Sequence, residues 1–503
     1  MKENMFKKIL IANRGEIAVR VMRACKELGI GTVAIFSSVD RNSLHVQMGD
    51  EAVLIGPPEP LESYLNIDNI ISAAKRLKVD AIHPGYGFLA ENPTFAQRCE
   101  KEGIVFIGSD SKSLALVGDK LKSRETIEKA GIPIIPGMKG SSKDMNHFKL
   151  EAKRIGYPVI LKASGGGGGK GMRTVHSEEE LESSVSAGMR EAKSAFGDDS
   201  VYLEKYIQQP RHVEFQVLAD KFGNAVHLFE RECSIQRRHQ KIVEETPSVA
   251  LDETLRRKMG ETAVKAILAA DYSNAGTVEF LLDEGGNFYF LEVNARIQVE
   301  HPITEFVVGV DLVKAQIRLA CGERMFLKQG QLAQRGHAIE CRIYAEDPEN
   351  NFLPCSGKIL FMREPSGPGI RHDCGIYSGF EVSVYYDPIL SKLVVWAEDR
   401  PTAIRRMLTA LSDLTILGIK TTTGFLKDVI SHPDFLSGET TTDFIPKNFP
   451  SWKERSDGKY LDEALIAAAV ISQNRLLPKS ETVRENVVSP WQTLGRWEIG
   501  KGI

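Results

Sequence analysis

Pro158-Val-Ile-Leu-Lys-Ala-Ser-Gly-Gly-Gly-Gly-Gly-Lys-Gly-Met-Arg173 is the stretch on which the rest of the chain turns. Pro158 to Ala163 reads as a strand, and five consecutive glycines come after it. Without side chains, such a run can approach a polyphosphate closely and aim backbone N–H groups at it. A Walker A loop would place Ser or Thr after the lysine; here Gly171 follows Lys170. The alternatives are a flexible linker and a glycine-rich hairpin that closes as a lid over ATP. The lid accounts better for a run that lies between apolar strands and carries Lys170 and Arg173. Lys162, on the strand, would then neutralise phosphate charge.

Outward from the loop, Gly276-Thr-Val-Glu-Phe-Leu-Leu282 and Asn287-Phe-Tyr-Phe-Leu-Glu-Val-Asn294 read as two strands of a hairpin. With Gly285-Gly286 as a two-residue turn, Glu279 falls directly opposite Glu292. Two like charges that close are unfavourable unless a cation lies between them. Hard oxygen ligands suggest Mg²⁺ or Mn²⁺ carried with ATP, against the alternative of an exposed pair tolerated in water. In Asn294-Ala-Arg-Ile-Gln-Val-Glu-His-Pro302, Arg296, Gln298 and Glu300 recur at period two, which puts them on one face of an extended strand. A guanidinium there can bind a small oxyanion, and a carboxylate can act as a base. The run Arg231 to Lys241 adds Gln236, His239 and Lys241, though a bland solvated charge run is also open.

The first hundred residues alternate apolar runs with helical spacing, for example Lys8–Ala12, then Ile17, Val21, Cys25 and Leu28, then Val33–Phe36. That alternation predicts a parallel, doubly wound sheet. No Gly-x-Gly-x-x-Gly follows the first strand, so a dinucleotide site is a weak reading. The 503 residues are 42% hydrophobic and 26% charged, with a formal net charge of -3. This balance argues against nucleic acid or an anionic membrane as partner. No apolar run reaches the ~20 residues of a membrane span, and no signal peptide is apparent. Seven cysteines without Cys-x-x-Cys spacing point to a reducing, cytoplasmic setting.

Taken in order, these motifs closely resemble the biotin carboxylase family. The resemblance spans roughly Phe6 to Ile445. It rests on Ile11-Ala-Asn-Arg-Gly-Glu-Ile-Ala18, His83-Pro-Gly-Tyr-Gly-Phe-Leu-Ala-Glu-Asn92, the glycine loop, Glu204-Lys-Tyr, Pro210-Arg-His-Val-Glu214, Gln236-Arg-Arg-His-Gln-Lys-Ile-Val-Glu-Glu245 and Gln298-Val-Glu-His-Pro302. It implies an α/β, multidomain ATP-grasp fold. A Rossmann-like N-terminal domain would occupy 1–115, and an ATP-grasp domain 116–330 with its lid at about 132–204. A β-rich C-terminal domain would occupy 331–446, with a linker and partner-docking tail at 447–503.

By the same resemblance, ATP would be held by Lys120, Lys162, Gly167, Gly168, Glu204, Lys205, His212, Gln236 and His239. Glu279, Glu292 and Asn294 would hold two Mg²⁺ or Mn²⁺ ions. Lys241, Arg296, Gln298 and the backbone of Val299 would hold bicarbonate, with Glu300 as general base. Arg342 would stabilise the biotin enolate, and Tyr86 would line the biotin pocket. The family usually has Met and Thr where Val293 and Ala295 stand, and Thr at Val308. The implied activity is carboxylation of biotin by ATP and bicarbonate through carboxyphosphate, the first half-reaction of an acyl-CoA or pyruvate carboxylase.

A chain carrying its own biotin needs a Met-Lys-Met hairpin. The only near match, Gly137-Met-Lys-Gly140, lacks the second Met, and Lys139 reads as an ordinary loop residue. Biotin is therefore expected on a separate carrier protein, with a carboxyltransferase subunit as further partner and a homodimer as assembly. The helix expected from Leu461 to Ser472 and the segment holding Trp491 and Trp497 resemble the region C-terminal to the carboxylase module in acyl-CoA carboxylase α chains. Two competitors remain: another ATP-grasp ligase, which would not need Arg342 with Lys241, and a nucleotide-binding regulatory subunit, which would show damaged catalytic positions.

Overall fold

The computed structural model describes residues 5–164, 172–238, 240–454 and 461–476. The chain divides into a compact unit, Met1–Lys453, and a second unit from Glu454 onward.

The N-terminal part is the expected parallel sheet. Its strands run in the order Glu51–Gly56, Gly31–Ser37, Lys8–Ile11, Ala81–His83 and Val105–Phe106. Alternate residues of its first strand enter different cores: Leu10 packs with Val33, Ile35 and Ile82, whereas Ile9 and Ile11 pack with Ala34 and Ala81. A strand buried on both faces needs a continuous apolar run, which is how this one reads.

An eight-stranded antiparallel sheet forms the body. Its order is Phe288–Asn294, Asn274–Leu282, Arg211–Ala219, Ala225–Arg237, Gln240–Thr246, His337–Tyr344, Ile389–Ala397 and Ile370–Cys374. One sheet therefore continues across position 330, where a domain boundary was expected. A three-stranded sheet, Arg173–Val175, Val159–Ala163 and Val201–Lys205, packs with the helices Met145–Ile155 and Glu178–Phe196 around its own core. This is the body of the expected lid. Gly165 to Gly171, including Gly167 and Gly168, lie outside the described residues, as does His239.

Three expectations need correction. The hairpin turn is centred on Glu284-Gly285, not Gly285-Gly286. Gly286 N–H donates to the Asp283 carbonyl at 3.1 Å, and Gly286 has φ 77°, the left-handed position that glycine fills without strain. Near this turn Phe280 pairs with Phe290, one residue out of step with expectation. A β-bulge at Leu291 then restores the pairing of Glu279 with Glu292.

Secondly, Arg296, Gln298 and Glu300 share no strand face. The strand stops at Asn294, and Glu300 occupies the position just before the helix His301–Val308, without a side-chain cap bond to it. Its N-terminus needs a turn there, and Pro302 in the first helical turn suits a helix start rather than a strand.

Thirdly, the tail does not separate at 447. The Phe449 and Trp452 rings lie 5.4 and 5.6 Å from Phe425, and the Trp452 indole donates to Asp428 at 2.7 Å. Folding them back buries aromatic surface that a linker would leave in water. The second unit is described only by its helix, Leu461–Leu476, on which Leu465, Ile466 and Val470 are exposed. Trp491 and Trp497 lie outside the described residues.

Candidate active site

Strand register builds the site. Arg231 stands opposite Glu214, Glu214 opposite Glu279, and Glu279 opposite Glu292, in a row across four strands. Three acids side by side would repel one another, and the fold answers with ammonium and guanidinium groups. The Lys241 Nζ donates to Glu214 Oε2 at 2.5 Å, Glu279 Oε1 at 2.7 Å and Glu300 Oε1 at 2.7 Å. These are charge-assisted bonds of the strong kind. Arg231, fully buried, uses five N–H groups on five acceptors: Glu214, Gln216, Thr304, Thr277 and Gln298.

The electrostatics follow. Burial opposes ionisation of Glu279, but Lys241 and His212 outweigh it and hold the carboxyl well below its usual range. Burial likewise works against Glu300, and Lys241, Arg342 and Arg231 together keep it ionised. Glu292 goes the other way: burial and the Glu279 charge raise it, with only partial relief from Lys120 at 4.0 Å.

Glu279 Oε1 also accepts from Asn294 Nδ2 and Gln298 Nε2, each at 2.9 Å, and His212 Nε2 lies 3.0 Å from Oε2. Among the described residues Glu292 has no such set of donors, and its side chain is 41% exposed. An oxygen donor with only partly compensated charge, paired with an ionised carboxylate, fits a divalent cation. The Asn294 amide oxygen, by contrast, accepts from Arg296 at 3.0 Å, so it would have to exchange that partner to serve as a ligand. His212, Glu214 and Glu279 also offer ligand atoms close enough together to hold an ion.

Arg342 joins the cluster from the neighbouring strand. It donates to Glu300 Oε2 at 3.0 Å and to Glu244 Oε1 at 2.6 Å. Arg296 donates to Glu91 Oε2 at 3.0 Å, tying it to the loop after Ala81–His83. Tyr86, in that loop, donates its hydroxyl to Glu16. Gln236 is buried beside Lys241 in register.

On the lid sheet, Lys162 donates to Glu204 at 2.6 Å, and Glu204 also takes Arg124. Lys205 is not brought to them. Its side chain is on the opposite face of the strand and donates to the Gly156 and Tyr157 carbonyls at 2.9 and 3.1 Å. Alternation along the strand dictates this, because Glu204 and Lys205 are neighbours and point opposite ways. The sequence reading also missed Arg124, Glu214, Glu244, Glu91 and the central role of Arg231. Glu214 had a signal: His212, Glu214 and Gln216 alternate with Val213, Phe215 and Val217, the mark of a strand with one polar face.

Three family models match the chain in succession: the biotin carboxylase N-terminal domain over residues 5–114, the carbamoyl-phosphate synthase L chain ATP-binding domain over 119–328, and the biotin carboxylase C-terminal domain over 340–447. The chain is 54% identical over 440 residues to a biotin carboxylase of Nostoc sp., covering 88% of this chain and 98% of that one. It is 49% identical over 497 residues to the mitochondrial methylcrotonoyl-CoA carboxylase subunit alpha of Dictyostelium discoideum, covering 99% and 71%. Among solved structures, the biotin carboxylase domain dimer of Hydrogenobacter thermophilus 2-oxoglutarate carboxylase, in complex with MgADP, ADP and bicarbonate, superposes with a TM-score of 0.87 at 49% identity, covering 90% of this chain and all of that one.

Proposed function

The chain belongs to the biotin carboxylase family, and from that premise we propose that the Lys241–Glu300–Arg342 cluster is where its chemistry occurs. The protein is a ligase that carboxylates biotin at the expense of ATP, with bicarbonate as the carbon source. The observation that carries the assignment is the position of Glu300, whose two oxygens are shared between Lys241 at 2.7 Å and Arg342 at 3.0 Å.

Bicarbonate binds by taking over donors from Lys241 and Arg296, with Gln298 and the Val299 backbone beside it. Once the anion draws Lys241 away, Glu300 loses part of what holds it ionised, so its affinity for a proton rises when a proton is to be accepted. Glu300 then removes the bicarbonate proton, and the oxygen attacks the γ-phosphorus of ATP, displacing ADP and forming carboxyphosphate. Carboxyphosphate splits into CO₂ and phosphate. The phosphate takes the ureido N–H proton of biotin, Arg342 stabilises the resulting anion, and its nitrogen bonds to CO₂. Lys120, Lys162, Glu204, His212 and Gln236 face the nucleotide, while Lys205 offers it only backbone. A divalent ion brought with ATP would sit at Glu279 and Glu292, with Asn294 as a further ligand, and would offset phosphoryl charge.

Relatives of this chain are subunits of larger carboxylases. On this reading biotin reaches the site on a separate carrier protein, and a carboxyltransferase subunit consumes the product. A homodimer in the cytoplasm is the assembly and setting that fits. Lys139 is an exposed loop residue after buried Met138, with no hairpin like that of a biotinyl lysine. No described helix is long and apolar enough to cross a membrane.

The test separates two half-reactions. Glu300→Ala should lose both bicarbonate-dependent ATP cleavage and carboxylation of free biotin. Arg342→Ala should lose carboxylation by about 10²-fold or more and ATP cleavage far less. Equal losses in both assays for both variants would remove the basis for distinct roles.

A further inference from the structure

One fully buried ammonium remains outside this scheme. Lys392 lies on Ile389–Ala397, opposite Arg342 on one side and Asp373 on the other, and its side chain is wholly inaccessible. Stripping an ammonium of water is expensive unless its new partners compensate closely. Asp373 lies 4.0 Å away and is engaged by Arg371 at 2.6 Å. Glu16 Oε2 is 3.4 Å away. The shortest contact is to neither acid: Lys392 Nζ donates to the backbone carbonyl of Val299 at 2.8 Å.

That carbonyl belongs to the peptide joining Val299 to Glu300. The preceding carbonyl, of Gln298, accepts from the His301 N–H at 3.3 Å and lies 2.8 Å from His301 Nδ1. The two successive peptide planes of the turn are thus held separately, one by His301 and the other by Lys392. The turn has no ladder partners, so these two contacts hold its backbone, while Lys241 and Arg342 hold the Glu300 carboxylate that it presents. Behind the lysine, Glu16 stands in the first turn of Gly15–Leu28 and accepts the Tyr86 hydroxyl on its other oxygen. Asn13 holds the same loop by donating to the Pro84 and Tyr86 carbonyls, each at 2.7 Å. A chain of contacts therefore runs from the half-buried Tyr86 through Glu16, across a 3.4 Å ion pair to Lys392, and on to the Val299–Glu300 peptide.

We propose that Lys392 is a positioning residue for the anion-binding turn, and that Glu16 couples it to the Tyr86 loop, so that the biotin side and the bicarbonate side of the site are held in register by one buried ion pair. The inference rests on the biotin carboxylase reading and adds to it residues that touch no substrate.

The experiment uses the full chain and free biotin, with ATP cleavage and carboxylation measured while bicarbonate, ATP and biotin are varied in turn. Lys392→Met keeps the length and removes the charge. A lost charged hydrogen bond predicts a rise in KM for bicarbonate of about tenfold or more, with KM for ATP changed less than about twofold. A residue that only supports the fold would lower Tm and the active fraction and leave both KM values alone; that result overturns the proposal. Glu16→Gln keeps an acceptor for Tyr86 and removes the countercharge. It should raise KM for bicarbonate and for biotin together and spare ATP. If Lys392→Met does not fold, Glu16→Gln decides: unchanged KM values for both substrates refute the coupling. An inactive wild-type chain would instead refute the underlying carboxylase reading.

Discussion

Arg231→Met tests the physical account of the site most directly. The guanidinium is fully buried and satisfies five acceptors. Methionine fills much of the volume but offers no donor. Glu214 keeps Lys241 at 2.5 Å, so its charge is not orphaned, yet it loses the 2.6 Å bond to Arg231. Breaking a buried ion pair from one side costs about 3–5 kcal/mol. The Gln216 and Gln298 amide oxygens each lose an acceptor bond, at about 1–3 kcal/mol apiece, while the two threonine hydroxyls can rotate to other partners. These costs overlap because the groups share one network, and a net loss of about 5 kcal/mol is the expectation. At roughly 2 °C per kcal/mol for a large domain, Tm should fall by about 10 °C. Arg231→Lys should fall between the two, since a point charge can serve Glu214 but not the fork of acceptors. The assay is thermal unfolding followed by intrinsic fluorescence, with circular dichroism at low temperature to check the fold. A Tm for Arg231→Met within about 2 °C of wild type would show that the network contributes little and that the burial argument is wrong.

Three further outcomes are expected. Glu292→Gln should reduce bicarbonate-dependent ADP release by about 10²-fold or more with little change in Tm, because it removes a half-exposed carboxylate whose ion pair, with Lys120, spans 4.0 Å; near wild-type turnover would remove the cation assignment. Glu245 is disfavoured as an ion by burial, but His337 and Arg400 overcome this and hold it at about 2, against 4.5 unperturbed. Its contribution is therefore present above pH ~4.5 and lost as pH falls towards ~2, and Glu245→Gln should show a shallower decline of Tm with acidity across that window than wild type; parallel declines would contradict the pairing. Removing residues 454–503, a cut that spares Phe449 and Trp452, should leave free-biotin activity nearly intact and weaken co-purification with a biotinylated carrier; loss of free-biotin activity would place the tail in the core instead.

What the sequence disclosed was periodicity and chemistry; what it withheld was burial and parity. The opposition of Glu279 and Glu292 was legible because strand pairing is arithmetic, although a misjudged turn and an unseen bulge happened to cancel. The parallel sheet was legible because strands covered on both faces must be apolar throughout. Arg231 was visible only as one charge in a basic run, since nothing local distinguishes a solvated guanidinium from one enclosed by four neighbouring elements. Lys205 was assigned by motif where strand alternation, counted from Lys162 across to Tyr202 and Glu204, would have turned it away. Glu300 was placed with Lys241 by resemblance, and the two lie 2.7 Å apart; the strand face meant to join it to Arg296 and Gln298 does not exist, because the helix start at His301-Pro302 was read as continued strand. Val293 and Ala295, two of the three departures from family usage, are both buried in the same apolar core as Phe280 and Phe290, and the Ala295 N–H still donates to Glu91 at 3.0 Å.

The bulge at Leu291 is slack in the chain. A one-residue deletion among positions 288–291 can be taken up by ironing it out, which leaves Glu292 facing Glu279. The same deletion among positions 280–282 has no such reserve and would leave two unpaired residues on the facing strand. Descent should therefore have been permissive of length change on one limb of this hairpin and strict on the other. A single-residue gap at Leu291 in a distant relative marks a drifted strand and not a lost pairing of Glu279 with Glu292.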